Sequence, residues 1–495
     1  MMTAGDGANV LWVVLDTVRK DRLTPYGHDR PTTPALGNFA DEALVYTEAV
    51  AQAPWTLPVH ASMFTGRYPT EHTATQESPY LPAGTGTLAA ALSKTGHATA
   101  CYSSNAWITP YTRLTEGFDE ADNFFEALPR GVPSVAAGVW ERLADGRFRP
   151  LADRLVELGN GIHERLAARG RGVSRTPAIV DRTTAFVDAH ADGRWFAFLN
   201  LMDAHLPYRP PERHRTALSP DADPDAVCQN SKAYNAGARE VTEREFESIR
   251  RLYDAEIAHA DAELGRLFEH LRRTGQWDDT VVIVCSDHGE LHGEFGLYGH
   301  EFAVYDPLVN VPLLCKHPGL GSGRTGEQVE LLDLYDTVLE AAGAVGAAEN
   351  VGARPFDPDR SLLSEGRSIP DGEYAFVEYG RPAIEVKQLE SKAADAGIDI
   401  DGASRFYSRM RAARSPEAKY IRNERVEDEA YRLTGADAEA ETLDPDDPRI
   451  RDLAAALDRF GNRYGGMGSG DRDERSVEGM AEGTKRRLRG LGYLE

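Results

Sequence analysis

Two stretches of this chain put ligands for a hard cation where an apolar run stops. The run from Val10 to Leu15 ends in Asp16-Thr17, and a carboxylate in that position suits a divalent ion that prefers oxygen donors. The run from Thr280 to Cys285 ends in Ser286-Asp287-His288-Gly289-Glu290. Adjacent Asp and His on a turn offer mixed oxygen and nitrogen donors, and Gly289 lets the backbone pass close by. Taken singly, neither is decisive. Strands often end in Asp for reasons of turn geometry, and a turn His is often held by an ordinary hydrogen bond.

Such residues need a scaffold that brings strand ends together, and the rest of the pattern supplies one. Short β-branched runs alternate with longer helical patterns, which predicts an α/β fold with a parallel sheet covered by helices. Strands are expected at 10–16, 195–203 and 280–290, each finishing in polar residues. In open α/β sheets sites gather beyond the carboxyl ends of the strands, so these three ends should converge. Residues 244–275 carry apolar side chains at helical spacing with charges opposite, the mark of a packing helix. Residues 327–343 are expected to form the last helix of a large domain over 1–345. A Pro/Gly/Asp-rich connection follows at 344–372. Strand-like runs at 374–380, 405–415, 418–424 and 429–434 then predict a small antiparallel sheet in a subdomain over 346–460. A Gly/Asp-rich tether at 461–479 and a basic terminal helix complete 461–495.

Composition narrows the partners. The 495 residues carry a net charge of -24, which opposes any general affinity for nucleic acid or anionic membrane. Cys101, Cys228, Cys285 and Cys315 are too few and scattered for a disulfide framework or a zinc knuckle, and buried free thiols are expected. The opening residues lack a basic n-region and a cleavage site. No uninterrupted apolar stretch reaches the roughly 18 residues of a spanning helix. The expectation is a cytoplasmic protein without a membrane span.

The segment Pro54-Trp55-Thr56-Leu57-Pro58-Val59-His60-Ala61-Ser62-Met63-Phe64-Thr65-Gly66-Arg67-Tyr68-Pro69 resembles the signature of the sulfatase family, where Cys-x-Pro-x-Arg precedes a run ending Thr-Gly-Arg-Tyr-Pro. Aligned on that ending, Thr56 takes the place of the cysteine, Pro58 keeps the proline and His60 falls where the family has arginine. Met202-Asp203-Ala204-His205-Leu206-Pro207-Tyr208 is similar to the family's Pro-His-x-Pro-Tyr. Gly296-Leu297-Tyr298-Gly299-His300 puts His300 where sulfatases usually carry a catalytic lysine, and Tyr305 to Leu313 resembles the stretch after it. The resemblance covers most of the chain. It implies a large alkaline-phosphatase-like domain with a mostly parallel central sheet flanked by helices, plus the small C-terminal antiparallel sheet.

The departures shape the expected chemistry. In sulfatases the cysteine is oxidised to formylglycine, whose hydrate attacks sulfur and later expels sulfate by collapsing to the aldehyde. Thr56 cannot follow that route, so its hydroxyl must attack directly and needs activation by a metal or a base. Phosphodiesterases of the superfamily, and lipoteichoic acid synthase-like transferases, use a metal-bound threonine with an Asp-His pair. That resemblance implies one divalent ion (Ca, Mg, Mn or Zn) on Asp16, Thr56, Asp287 and His288, the His favouring Mn or Zn. His60, His205 and His300 are the implied catalytic partners of the transferring group, with Asn105 a further donor. His72 is read as structural, Trp55 as packing, and His292 as equally a neighbour of the site or a bystander. The expected substrate is a small-molecule or glycan-linked sulfate or phosphate ester, with phosphate favoured. Two rival readings stand beside this hydrolase: a phospho-alcohol transferase acting on a glycan or lipid, and a non-catalytic binding protein that kept the fold.

Overall fold

A computed structural model describes residues 7–124, 174–364, 367, 374–434, 439 and 441–465. The basic terminal helix expected near the C-terminus lies outside the described residues. So does the expected tether beyond residue 465, and residues 461–464 still belong to the helix Pro448–Tyr464.

In chain order the strands are β1 (Asn9–Leu15), β2 (Leu44–Val50), β3 (Ala98–Ser103), β4 (Glu120–Asn123), β5 (Trp195–Leu201), β6 (Thr280–Cys285), β7 (Leu291–His292), β8 (Tyr298–Gly299), β9 (Asn310–Lys316) and β10 (Gly323–Glu330). Eight of them build one sheet in the order β10-β2-β9-β6-β1-β5-β3-β4. Strand β9 runs antiparallel to both its neighbours, and the other pairings are parallel. The short strands β7 and β8 form a separate hairpin.

The uninterrupted apolar runs of β1, β5 and β6 follow from burial on both faces of the sheet. Val10, Trp12 and Val14 point into one hydrophobic cluster, whereas Leu11, Val13 and Leu15 point into another, the alternation a strand imposes. The first face carries the helices Thr56–Thr65 and Asp333–Ala341. The second carries the helices Thr176–Ala189 and Glu243–Arg273. In the latter, Thr242 caps the N-terminus by accepting from the Glu245 amide, which satisfies an otherwise orphaned donor.

The helix expected over 327–343 and the strand expected over 405–415 both begin late, the latter at Met410 after a short helical turn at Arg405–Tyr407. Residues 327–330 are not helical: they belong to β10, where Gln328, Val329 and Glu330 pair with Glu48, Ala49 and Val50. The helix begins only at Asp333. Pairing to an open sheet edge outweighs the weak helical pattern there.

The later strands are β11 (Ala375–Tyr379), β12 (Met410–Arg414), β13 (Ala418–Asn423), β14 (Glu429–Arg432) and β15 (Glu441–Thr442). They form the small antiparallel sheet, ordered as they occur in the chain. Ala375, Val377, Met410, Ala412 and Ile421 join the core of the main sheet. The opposite face packs against Leu453, Leu457 and Phe460 of the helix Pro448–Tyr464.

Candidate active site

Four neighbouring strands, β6-β1-β5-β3, end on one side of the sheet, and each delivers polar residues there. Asp287 and His288 follow β6, Asp16 follows β1, Asn200 sits near the end of β5, and Asn105 follows β3. Thr56 arrives separately, as the first residue of the helix Thr56–Thr65, where unpaired backbone amides and the positive end of the helix dipole face outward. The convergence expected of the three strands is therefore present, with a fourth strand added.

Asp16, Asp287 and His288 are fully buried, and a ligand atom from each lies within 4.8 Å of the others. The separations from His288 Nε2 are 4.0 Å to Asp16 Oδ1 and 3.5 Å to Asp287 Oδ2. Thr56 Oγ1 is 3.4 Å from the same nitrogen. Asp16 Oδ1 and Asp287 Oδ2 are buried without a hydrogen-bond partner, an arrangement that proteins otherwise avoid. His288 Nδ1 lies 3.0 Å from the Gly289 carbonyl, so Nδ1 carries the proton and the Nε2 lone pair turns toward the carboxylates. Two acceptor oxygens and one imidazole lone pair converging in a water-poor corner are the donor set of a divalent cation. The residues present fit one.

Electrostatics agree. Burial pushes the Asp287 carboxyl up to about 7. Burial and the charge of Asp287 together raise that of Asp16. Burial pushes the His288 imidazole down to about 3, so it is neutral, the form that ligates. A bound cation reverses the penalty on both carboxylates.

Backbone strain surrounds the corner. Thr17 has φ 60°, an outlier for a β-branched residue. Its amide donates to Asp287 Oδ1 at 3.2 Å, its hydroxyl to the Asp16 carbonyl at 2.6 Å, and its carbonyl accepts from the Tyr253 hydroxyl at 2.6 Å. Those three bonds over-determine the turn and fix Asp16 against Asp287. On the other side a Cβ at Gly289 would lie 2.0 Å from the Pro307 carbonyl oxygen, so only glycine lets the chain close behind His288.

Asn105 links ligand to hydroxyl: its Nδ2 donates to Asp16 Oδ2 at 2.7 Å and to Thr56 Oγ1 at 3.2 Å. Asn200 Nδ2 reaches the same Asp16 oxygen at 3.0 Å. Asn200 is not among the residues the sequence pattern singles out, although one amide inside the otherwise apolar WFAFLNL is a signal of its own. Glu290 is likewise given no role by that pattern. It is buried, and its Oε1 lies 3.0 Å from His300 Nδ1.

The three histidines occupy different places. His60 is fully buried, its Nδ1 is 2.9 Å from the Thr56 carbonyl and its Nε2 is 3.4 Å from Asn200 Nδ2. Burial lowers it to about 3. His300 lies with its ring centroid 4.5 Å from that of His288 and 5.4 Å from that of His205. His205 is partly exposed, with Nδ1 2.7 Å from the Leu206 carbonyl. Away from this corner, His72 is held by the Ser62 hydroxyl and the Ala74 amide. His292 Nε2 contacts the Tyr208 hydroxyl at 3.0 Å, and the Tyr208 hydroxyl also reaches Glu290 Oε2 at 3.3 Å. Trp55 is buried. All four cysteines are free and buried.

The family model for Sulfatase matches residues 8–344. The chain belongs to the sulfatase family. It is 33% identical over 144 residues to a choline-sulfatase of Rhizobium meliloti, a match covering 29% of this chain and 27% of that protein. Identity is 28% over 385 residues to the multifunctional alkaline phosphatase superfamily protein PehA of Trinickia caryophylli, covering 68% of this chain and 74% of that one. Thus the chain spans about a quarter of the choline-sulfatase it matches and most of the second relative. In fold it is similar to the phosphonate monoester hydrolase of Agrobacterium radiobacter, with a TM-score of 0.64 at 20% identity over 92% of this chain and 96% of that one. No helix among the described residues is long and apolar enough to cross a membrane.

Proposed function

We propose that this member of the sulfatase family is a metal-dependent ester hydrolase whose nucleophile is the Thr56 hydroxyl, acting on phosphate or phosphonate esters in preference to sulfate esters. The observation that carries the reading is the buried triangle of Asp16 Oδ1, Asp287 Oδ2 and His288 Nε2, its two carboxylate oxygens unbonded, with Thr56 Oγ1 3.4 Å from the imidazole nitrogen. Asp16, Asp287, His288 and Thr56 would hold one divalent cation. When bound, it supplies Lewis acidity that lowers the pKa of a coordinated hydroxyl and offsets negative charge on the transferring group.

The protein's own groups do the positioning. Asn105 donates to Thr56 Oγ1, so the oxygen keeps one orientation. His60, neutral and wedged between the Thr56 carbonyl and Asn200, fixes the first turn of the helix and acts by position. The first-turn amides and the pair His205 and His300 face the charge that builds on the non-bridging oxygens. The Thr56 hydroxyl gives up its proton as its oxygen bonds to phosphorus, the bond from phosphorus to the leaving oxygen breaks, and the alcohol departs with a proton. Water then adds to the phospho-threonine ester and frees the hydroxyl. A threonine sulfate ester has no aldehyde through which to expel sulfate, which is the reason for preferring phosphorus. Two likenesses are in keeping with this preference, the fold of a phosphonate monoester hydrolase and a relative over two thirds of the chain with an alkaline phosphatase superfamily name, while the choline-sulfatase match is to a sulfate esterase by name.

The test uses metal-stripped protein, each divalent ion added back in turn, and matched aryl sulfate, phosphate monoester and phosphate diester. The expected result is ion-dependent turnover of a phosphorus ester that drops at least about 10³-fold in Thr56→Ala. Full turnover by that variant would remove Thr56 from the mechanism. Turnover of the sulfate alone would overturn the preference for phosphorus.

A further inference from the structure

One aromatic feature beside Thr56 is not used by the mechanism above. Trp55 immediately precedes the nucleophile in extended conformation, φ -158° and ψ 161°, and its ring meets that of Trp107 edge to face, with centroids 5.4 Å apart. Trp55 is 6% exposed, whereas Trp107 is only half-buried. The amide nitrogen of Trp107 donates to Asn105 Oδ1 at 2.8 Å, while Asn105 Nδ2 donates to Thr56 Oγ1 at 3.2 Å. Trp107 is therefore tied to the nucleophile through one side chain. The loop that carries it is rigid: Asn123 Nδ2 donates to the carbonyls of Asn105 and Ile108 at 2.8 and 2.9 Å. The Thr112 hydroxyl donates to the Trp107 carbonyl at 2.6 Å. A pre-ordered indole gives contact area at little cost in conformational entropy.

Its position decides what it can touch. In-line attack by Thr56 puts the leaving alcohol on the far side of phosphorus from Oγ1. The groups that stay on phosphorus stand around that axis, so an indole flanking the nucleophile beside Asn105 is within reach of a retained substituent rather than of the leaving alcohol. A sulfate ester has no such organic substituent, and a phosphate monoester has none either. A phosphate diester or a phosphonate monoester has one.

We propose that Trp107, backed by Trp55, is the specificity-determining residue for the organic substituent retained on phosphorus, favouring esters in which that substituent is a flat or apolar ring. The inference rests on the reading of Thr56 as nucleophile and adds a substrate class to it. Two diesters with the same leaving group provide the test: phenyl 4-nitrophenyl phosphate and methyl 4-nitrophenyl phosphate, assayed on the full chain with the activating cation. In Trp107→Ala, kcat/KM for the phenyl diester should fall about 10-fold to about 100-fold, mostly through KM, while the methyl diester changes by less than about 3-fold. Trp107→Phe should restore most of the loss. An equal fall for both diesters would make Trp107 a structural residue and overturn the inference, as would no change for either. If Thr56→Ala retains full turnover of both diesters, the nucleophile reading fails and this inference goes with it. Discrimination lost in Trp107→Ala while Thr56→Ala is inactive supports both.

Discussion

Two of the buried charge clusters in this molecule are treated in opposite ways. At the strand ends, Asp16 and Asp287 face a neutral His288, and one oxygen of each carboxylate makes no hydrogen bond. Where the small sheet meets the large one, Arg414 on β12 spreads its guanidinium over Asp306, Gln328 and Glu48, with contacts of 2.6 to 3.1 Å. Lys419 on β13 adds bonds of 2.9 Å to Asp306 and to Glu439. Burial alone would raise the Asp306 carboxyl, yet Arg414 and Lys419 hold it well below the usual range. Burial pushes Asp287 the other way, up to about 7. The same desolvation thus leaves Asp306 a settled anion where cations are built in, and Asp287 unsettled in a corner where the described residues supply none. An unsettled corner is what a site for an external cation looks like from the protein's side.

The sharpest way to break this comparison is to remove one partner from each place. Asp306→Ala leaves Arg414 and Lys419 short of an anion and should cost about 3–5 kcal/mol, read by chemical denaturation. In metal-stripped protein, Asp287→Asn removes a carboxylate that has no cation and should cost far less. Equal losses in the two variants would sink the distinction. The next effect is smaller and of opposite sign. Adding the activating cation to stripped wild-type protein at 100 times its Kd should stabilise it by about 2.7 kcal/mol, and Asp287→Asn should abolish the gain. A cation that stabilises both proteins alike binds somewhere else.

The sequence made the settled and unsettled regions legible to different degrees. Asp16, Asp287 and His288 could be placed because each follows an apolar run at a strand end, where periodicity is strongest. The four strand-like runs after residue 374 resolved into an antiparallel sheet for the same reason. The joint could not be seen: Arg414 and Asp306 are 108 residues apart in the chain, and a charged residue on a strand says nothing about its partner. Asn200 leaves one faint mark, an amide in an apolar run, and Glu290 none that sets it apart, because their contacts with Asp16 and His300 exist only in three dimensions. The sequence predicts helix at 327–330 because the helical pattern beginning at Asp333 runs smoothly into them. The pairing with β2 that makes them a strand is again a distant one.

The last expected effect, small per pH unit, concerns pH, and its sign separates Asp287 from Asp306. Burial holds the Asp287 carboxyl at about 7 in the folded, metal-free chain, against about 3.9 for an ordinary aspartate. Between those values the native state holds a proton that the unfolded state has released. Stability then falls as pH rises, by at most about 1.36 kcal/mol per pH unit for this one proton. Asp306 behaves in reverse. Its depressed pKa contributes stability that is present above the ordinary carboxylate range and lost on acidification. Stripped wild-type protein should therefore lose stability from about pH 4 to about pH 7, a slope measured by urea denaturation across that window. Asp287→Asn should flatten part of that slope, and the bound cation should flatten it as well, because the ion replaces the proton as the partner of the carboxylate. A slope that survives both changes in full would place the unsettled charge somewhere other than Asp287.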